Sequence, residues 1–229
     1  MTYTLADLRA QCLDLLGDPG NQTFTSAQID DWINRAIEDL SIHFPQFADY
    51  TLSTHLGVHI YELETYIKGV VAVEYPSGQN PPRFLKRRSF THPQFYSEAG
   101  YYDFYKPQSS DSQNPPLIYI SDYTPLSTPA NLTVKCAIDH SPLADASDAC
   151  TVLDRHIHLI ALFVRWKAYS ERGSHEMMDP SPLAVRTSIM ENATQKAMQA
   201  YEDALARAVT TEAESAQVSW KMDNADRIY

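Results

Sequence analysis

The stretch FTSAQIDDWINRAIEDLSIHFP, residues 24–45, decides how the rest of the chain is read. Thr25 and Gln28 stand three apart in a capping box, where each side chain accepts the other residue's backbone N–H at a helix start. Phe24 and Ile29 take the two positions of a hydrophobic staple. Ile29, Trp32, Ile33, Ala36, Ile37 and Leu40 then recur at helical spacing, and Pro45 sets the limit of the helix. The segment before it obeys the same grammar. Thr4 with Asp7 opens a helix, Leu5, Leu8, Cys12, Leu15 and Leu16 share one face, and Gly17 followed by Asp18-Pro19-Gly20 supplies a stop and a turn. Residues 1–50 therefore read as an N-terminal helical hairpin.

Beyond the hairpin, over residues 51–141, the period changes from helical to alternating. Val58 to Leu63 and Val70 to Tyr75 read as strands, with Arg83–Arg88, Tyr101–Lys106, Leu117–Ser121 and Asn131–Ile138 as further candidates. Prolines separate them (Pro81-Pro82, Pro107, Pro115-Pro116, Pro125, Pro129). Short strands with turn chemistry every ten or so residues suggest an inserted antiparallel region rather than βαβ units. Ser89 to Ala99 is expected to hold a short helical turn.

Helical spacing returns over residues 142–209, a C-terminal helical pair that completes the bundle. Thr151 to Arg172 carries Leu153, Ile157, Ile160, Ala161, Val164 and Ala168 on one side and Leu159, Leu162, Phe163 and Trp166 on the other, with Gly173 as its expected limit. A helix that is apolar nearly all round sits in the middle of something. After Ser181 as N-cap and Pro182 at the first helical position, the run to Val209 is rich in strong helix formers, striped by Met190, Ala193, Ala197, Tyr201, Leu205 and Ala208. Residues 210–229 have few large apolar groups: Val218, Trp220, Met222, Ile228 and Tyr229. Such a segment cannot offset its own ordering entropy on its own chain, so it reads as an extended tail that a partner holds. The fold class is thus α+β: a four-helix core, an inserted antiparallel β region and an extended C-terminal tail.

Composition narrows the function. Apolar residues at 44% and charged residues at 21% describe an ordinary globular chain. There is no basic-then-apolar leader and no apolar run of about 18 residues, so no membrane partner is expected. Cys12, Cys136 and Cys150, odd in number and without CxxC spacing, suggest a reducing compartment. The formal charge of −11 argues against a free-standing DNA binder, whose affinity needs Lys and Arg on phosphates. It suits a surface that DNA slides past.

No residue pattern points to catalysis, a metal or a cofactor. His156 and His158 stand two apart on a helix, about 200° from each other, and cannot share an ion. His55 with His59 falls on loop and strand, and His92 and His140 lack acidic or thiol neighbours at ligand spacing, so these read as surface or interface histidines. Asp30-Asp31 and Glu38-Asp39 fall beside the polar face of a helix. No phosphate-cradling glycine loop or nucleophile elbow is present, and seven glycines are few for mobile lids. Arg83, Lys86, Arg87 and Arg88 form the one dense basic run. It reads as a charged sheet edge or as a contact with an acidic neighbour or with DNA in transit. Tyr96, Tyr101, Tyr102, Phe104 and Tyr105 read as sheet core and subunit interface rather than as a base-stacking platform.

The order of parts resembles the head-to-tail adaptor (connector, or head-completion) proteins of tailed bacteriophages. Leu5-Ala-Asp-Leu-Arg-Ala10, Leu15-Leu-Gly-Asp18 and Phe24 to Leu40 are similar to that family's N-terminal hairpin, and Thr151 to Ala168 to its central helix. The resemblance implies a structural, non-enzymatic virion protein assembled in the host cytoplasm. It implies a homo-oligomeric ring, usually of twelve, in the neck between capsid portal and tail. The portal protein, a tail or nozzle protein and DNA in passage are the partners it implies. In this frame Phe163 and Trp166 are expected at the ring interface, and Val218, Trp220, Met222, Ile228 and Tyr229 in a portal-binding tail. Two other classes remain open: a nucleic-acid-binding accessory protein and a tail-associated cell-wall hydrolase.

Overall fold

A computed structural model describes residues 3–107, 114–126, 130–178 and 184–225, with backbone alone for the helical residues 173–178, 184–188 and 214–225. Its contacts divide the chain into a helical unit, residues 1–44 with 140–229, and a β unit, residues 45–139.

In the helical unit, α1 (Leu5–Leu16) and α2 (Ser26–His43) begin at the two capping boxes read from the sequence. The Thr25 hydroxyl accepts the Gln28 N–H at 3.3 Å, and the Gln28 side-chain Oε1 accepts the Thr25 N–H at 3.0 Å. Gly17 closes α1 in the left-handed conformation (φ 69°), which a residue with a Cβ adopts only at a cost. Asp18 then organises the turn. Its carboxylate accepts the N–H groups of Gln22, Thr23 and Phe24 at 2.8, 2.8 and 3.0 Å. These bonds, that of Phe24 foremost, hold its pKa below the ordinary carboxylate value.

The chain re-enters the helical unit at His140 and is stitched to the hairpin by several hydrogen bonds. The Asn34 side chain donates to the Leu143 carbonyl at 2.9 Å and accepts the Leu143 N–H at 2.8 Å. Farther on, the Cys150 N–H donates to the Tyr3 carbonyl at 2.8 Å. A single 3-10 turn, Asp154–His156, leads into α3 (Ile157–Met178). The helix therefore starts after Leu153, whose backbone is extended (ψ 139°), and not at Thr151. It also runs through Gly173, since one interior glycine costs only about 1 kcal/mol. Buried residues of all four helices form one cluster, from Leu5 and Leu8 through Trp32, Ile33 and Leu40 to Leu159, Val164, Tyr201 and Ala204.

The last helix, α4 (Ala184–Ala225), corrects the expected extended tail: its backbone is helical over residues 210–225. The reason is local. Adding residues to an existing helix avoids the nucleation cost, and the segment from Thr210 to Ala216 offers Glu and Ala. The Thr210 and Thr211 hydroxyls donate back to the carbonyls of Ala206 and Arg207 at 2.8 and 2.9 Å. Of the expected tail anchors, Val218, Trp220 and Met222 fall in this helix; Ile228 and Tyr229 lie outside the described residues.

Among the described residues the β unit holds seven strands: β1 (Gln46–Thr54), β2 (Ile60–Glu62), β3 (Ile67–Glu74), β4 (Lys86–Arg87), β5 (Tyr101–Tyr105), β6 (Leu117–Ile120) and β7 (Ala130–Ile138). One sheet has the order β1-β7-β3 and the other β2-β6-β5-β4. Among the described residues all pairs are antiparallel, as expected, except the two-residue β4 with β5, which is parallel. A 3-10 turn at Pro93–Tyr96 occupies the place of the expected helical turn. The inner faces share one core: Ile67, Val73, Leu132, Val134 and Cys136 from the first sheet meet Tyr61, Tyr102, Ile118 and Ile120 from the second. Strand β1 was not among the sequence candidates. Phe47 and Leu52 fall on opposite faces of it, so its two large aliphatic or phenyl groups give no clean alternation.

Candidate functional site

The aromatic groups of α3 lie where α4 crosses them. Phe163 is buried and meets Trp166 and Tyr201 edge-on, each at 5.4 Å between ring centroids. Trp166 stacks on Tyr201 at 6.3 Å, and the Lys167 ammonium sits 4.2 Å from its ring. The Tyr201 hydroxyl donates to the Asp39 carboxylate on α2, and burial, then this bond, raises the phenol pKa. Trp32 of α2 donates its Nε1–H to Glu171 on α3 at 2.9 Å. The subunit's own α4 thus covers much of the α3 face that the sequence reading left to neighbours. Phe163 offers no free surface, whereas Trp166 keeps partial exposure.

A second cluster ties down the base of the α4 extension. His156 is buried and stacks on Phe44 at 4.1 Å, with 14° between the rings. Its Nε2 lies 3.0 Å from Glu212, which also accepts from Arg155 at 2.5 Å. Burial lowers the His156 pKa from 6.5, opposed by the Glu212 carboxylate. Beside this cluster, Arg155, His158, Leu162, Ala204, Arg207 and Glu212 line an open groove of about 660 Å³. The sequence reads Glu212 only as one of the charges of the tail segment, with no partner of its own.

His140, read from sequence as a surface or interface histidine, is buried within the helical unit, as is His156. The His140 Nε2 lies 2.8 Å from the Phe44 carbonyl and Nδ1 lies 2.8 Å from the Thr151 hydroxyl, while its backbone N–H donates to Ser41 at 3.0 Å. It closes the end of α2 against the returning chain. Among the described residues, no group of three or more His, Cys, Asp or Glu has the arrangement of a metal site. Cys12, Cys136 and Cys150 are free and buried, and burial pushes the Cys12 thiol up to about 12.

In the β unit the basic run forms the outer strand of its sheet. The Arg87 guanidinium stands 4.0 Å from Asp103, and Arg88 lies over the Tyr101 ring at 4.3 Å and donates to Gln94. Of the aromatic set, Tyr101 and Tyr102 are buried, Phe104 is half-buried, and Tyr96 and Tyr105 are exposed. These rings are mostly core, and no continuous stacking surface follows from them.

The half-covered seam around Trp166 and the groove at the base of the α4 extension are thus the open features of the helical unit. No helix among the described residues is long and apolar enough to cross a membrane. The family model described as SU10 adaptor protein matches residues 3–223, so the chain belongs to that family, one of bacteriophage head-to-tail structural adaptors. A search of curated proteins finds no match to the chain.

Proposed function

We propose that this member of the SU10 adaptor family forms a ring, of twelve copies on the family's usual pattern, that joins the portal to the tail in the virion neck and continues the DNA channel. The observation that carries the reading is α4. Its last described side-chain anchor to the 3-10 turn before α3 is Glu212, yet the helix goes on to Ala225. At 1.5 Å per residue that is roughly 20 Å of further helix, enough to reach a second protein.

The helical backbone changes how the tail binds. Positions 218 and 220 lie about 200° apart on a helix, so the extension docks as a helix in a groove and not as a strand added to a sheet. Trp220 is its main anchor, with Val218, Met222, Ile228 and Tyr229 around it. Trp166, backed by Phe163 and Tyr201, lies at the ring contact. The net charge of −11 favours passage of DNA over retention, so little duplex affinity is expected in a gel shift near physiological salt.

The test is a truncation after Glu212, which keeps the anchor and removes residues 213–229. The shortened chain should remain folded by circular dichroism and fail to bind purified portal. Trp220→Ala in the full chain should weaken that binding by about 2 kcal/mol or more. Undiminished docking of the truncated chain would overturn the assignment of the α4 extension to the portal. Images of wild type with portal that show no ring would overturn the adaptor geometry itself.

A further inference from the structure

The sheet ends of the β unit are not treated alike. Strand β3 has two register shifts, and its outer side is covered by residues 83–85: the Tyr75 N–H donates to Arg83 and the Leu85 N–H to Val73, at 2.9 and 2.8 Å. Strand β2 is three residues long, and β4 is two residues long and both are basic. Shortness, bulges, cover and charge are the devices that keep an edge from pairing with another chain. Strand β1 is neither short nor bulged, and its one charge is Asp49. It is nine residues long, pairs with β7 in unbroken register, and contains neither proline nor a basic residue. Among the described residues, no backbone hydrogen bond joins residues 46–53 to any segment but β7. Phe47 on this strand is 68% exposed.

We propose that β1 pairs antiparallel with β1 of a second copy of this chain, joining the two three-stranded sheets into one. The sequence of the strand supplies the argument for that occupant. The register that uses residues 47–53 symmetrically is centred on Tyr50. It sets Phe47 against Ser53, Ala48 against Leu52 and Asp49 against Thr51, with Tyr50 facing its own copy, and leaves the buried Thr54 out of the pairing. The one charge, Asp49, thereby meets a neutral hydroxyl and not another carboxylate. The half-buried face becomes a continuous row of Leu52, Tyr50, Tyr50 and Leu52, extending side chains that already pack on the β core. Such a contact is isologous and closes at two copies. It is a state of the free protein, independent of the adaptor reading and of the heterologous contacts that build a ring.

Sedimentation velocity of the full chain over a range of concentrations, without phage partners, tests the pairing. Thr51 is exposed and faces Thr133 within its own sheet, so substitution there leaves the fold in place. Thr51→Asp sets two carboxylate pairs face to face across the two-fold axis and should raise the dimer dissociation constant about tenfold. Thr51→Lys sets two opposite-charge pairs there and should lower it by about threefold or more. Three proteins with the same constant, both substitutions moving it the same way, or a Thr51→Lys chain that stays monomeric would each overturn the proposal.

Discussion

The two units of this molecule bury their cores by opposite routes. In the helical unit each element carries its own instructions: α1 and α2 bring their caps, stops and apolar stripes within about twenty residues of sequence. In the β unit the partner of a strand lies far along the chain: Gln46 of β1 faces Ile138 of β7, and Ile67 of β3 faces that same Ile138 from the other side. The difference teaches where each half is vulnerable. The helical unit depends on a few large anchors that lock locally specified helices together across the insertion, whereas the β unit depends on a register that no strand specifies alone.

The contrast can be broken first at Trp32, which is buried, edge-on to Phe24 at 5.5 Å, and bonded to Glu171. Trp32→Ala should cost about 3–5 kcal/mol in urea unfolding. The loss should fall on the helical unit, with amide exchange of β7 unchanged; if β7 opens equally, the two units fold as one. The reciprocal change is Ile118→Ala in the core shared by the two sheets, expected to cost about 3 kcal/mol and to leave helical circular dichroism intact at low urea.

Smaller changes sharpen the comparison within the helical unit. Thr25→Ala removes the capping hydroxyl of α2 and should cost about 1 kcal/mol by the same unfolding assay. The smallest effect concerns pH. Burial lowers the His156 pKa from 6.5, so between the folded and unfolded values the unfolded chain binds more protons. Stability should therefore hold above 6.5 and fall as pH drops below it through the folded pKa. Thermal melts across that range should show the loss in wild type and its reduction in His156→Gln. An equal acid loss in both proteins would remove His156 from the explanation.

What could be read beforehand follows the same divide. Thr4, Gly17, Thr25 and Gln28 act within one helical turn, so residue identity was enough to place them. Strand β1 could not be read, because what makes it a strand is β7 and not its own pattern. The α4 extension was misread because poverty in apolar groups argues against a core but not against helix, which propagates cheaply once started. Glu212, Asp39 and His140 were missed for a related reason: a polar residue gives no sequence signal of the partner it will meet when elements distant in the chain pack together. Phe163 and Trp166 were legible as apolar, but not which surface would cover them.

The latch at His140 has one more consequence. The chain leaves the helical unit at Phe44 and returns at His140, and the ring of that histidine lies 2.8 Å from the Phe44 carbonyl, so departure and return are neighbours. The β unit, residues 45–139, therefore leaves and rejoins the helical unit's chain at one place. The intervening residues can be lengthened, shortened or exchanged between lineages without redrawing the helices, because the gap that a replacement must bridge is already closed. Evolution can thus treat the β unit as an interchangeable cassette, altering what it meets while the helical body keeps its own geometry.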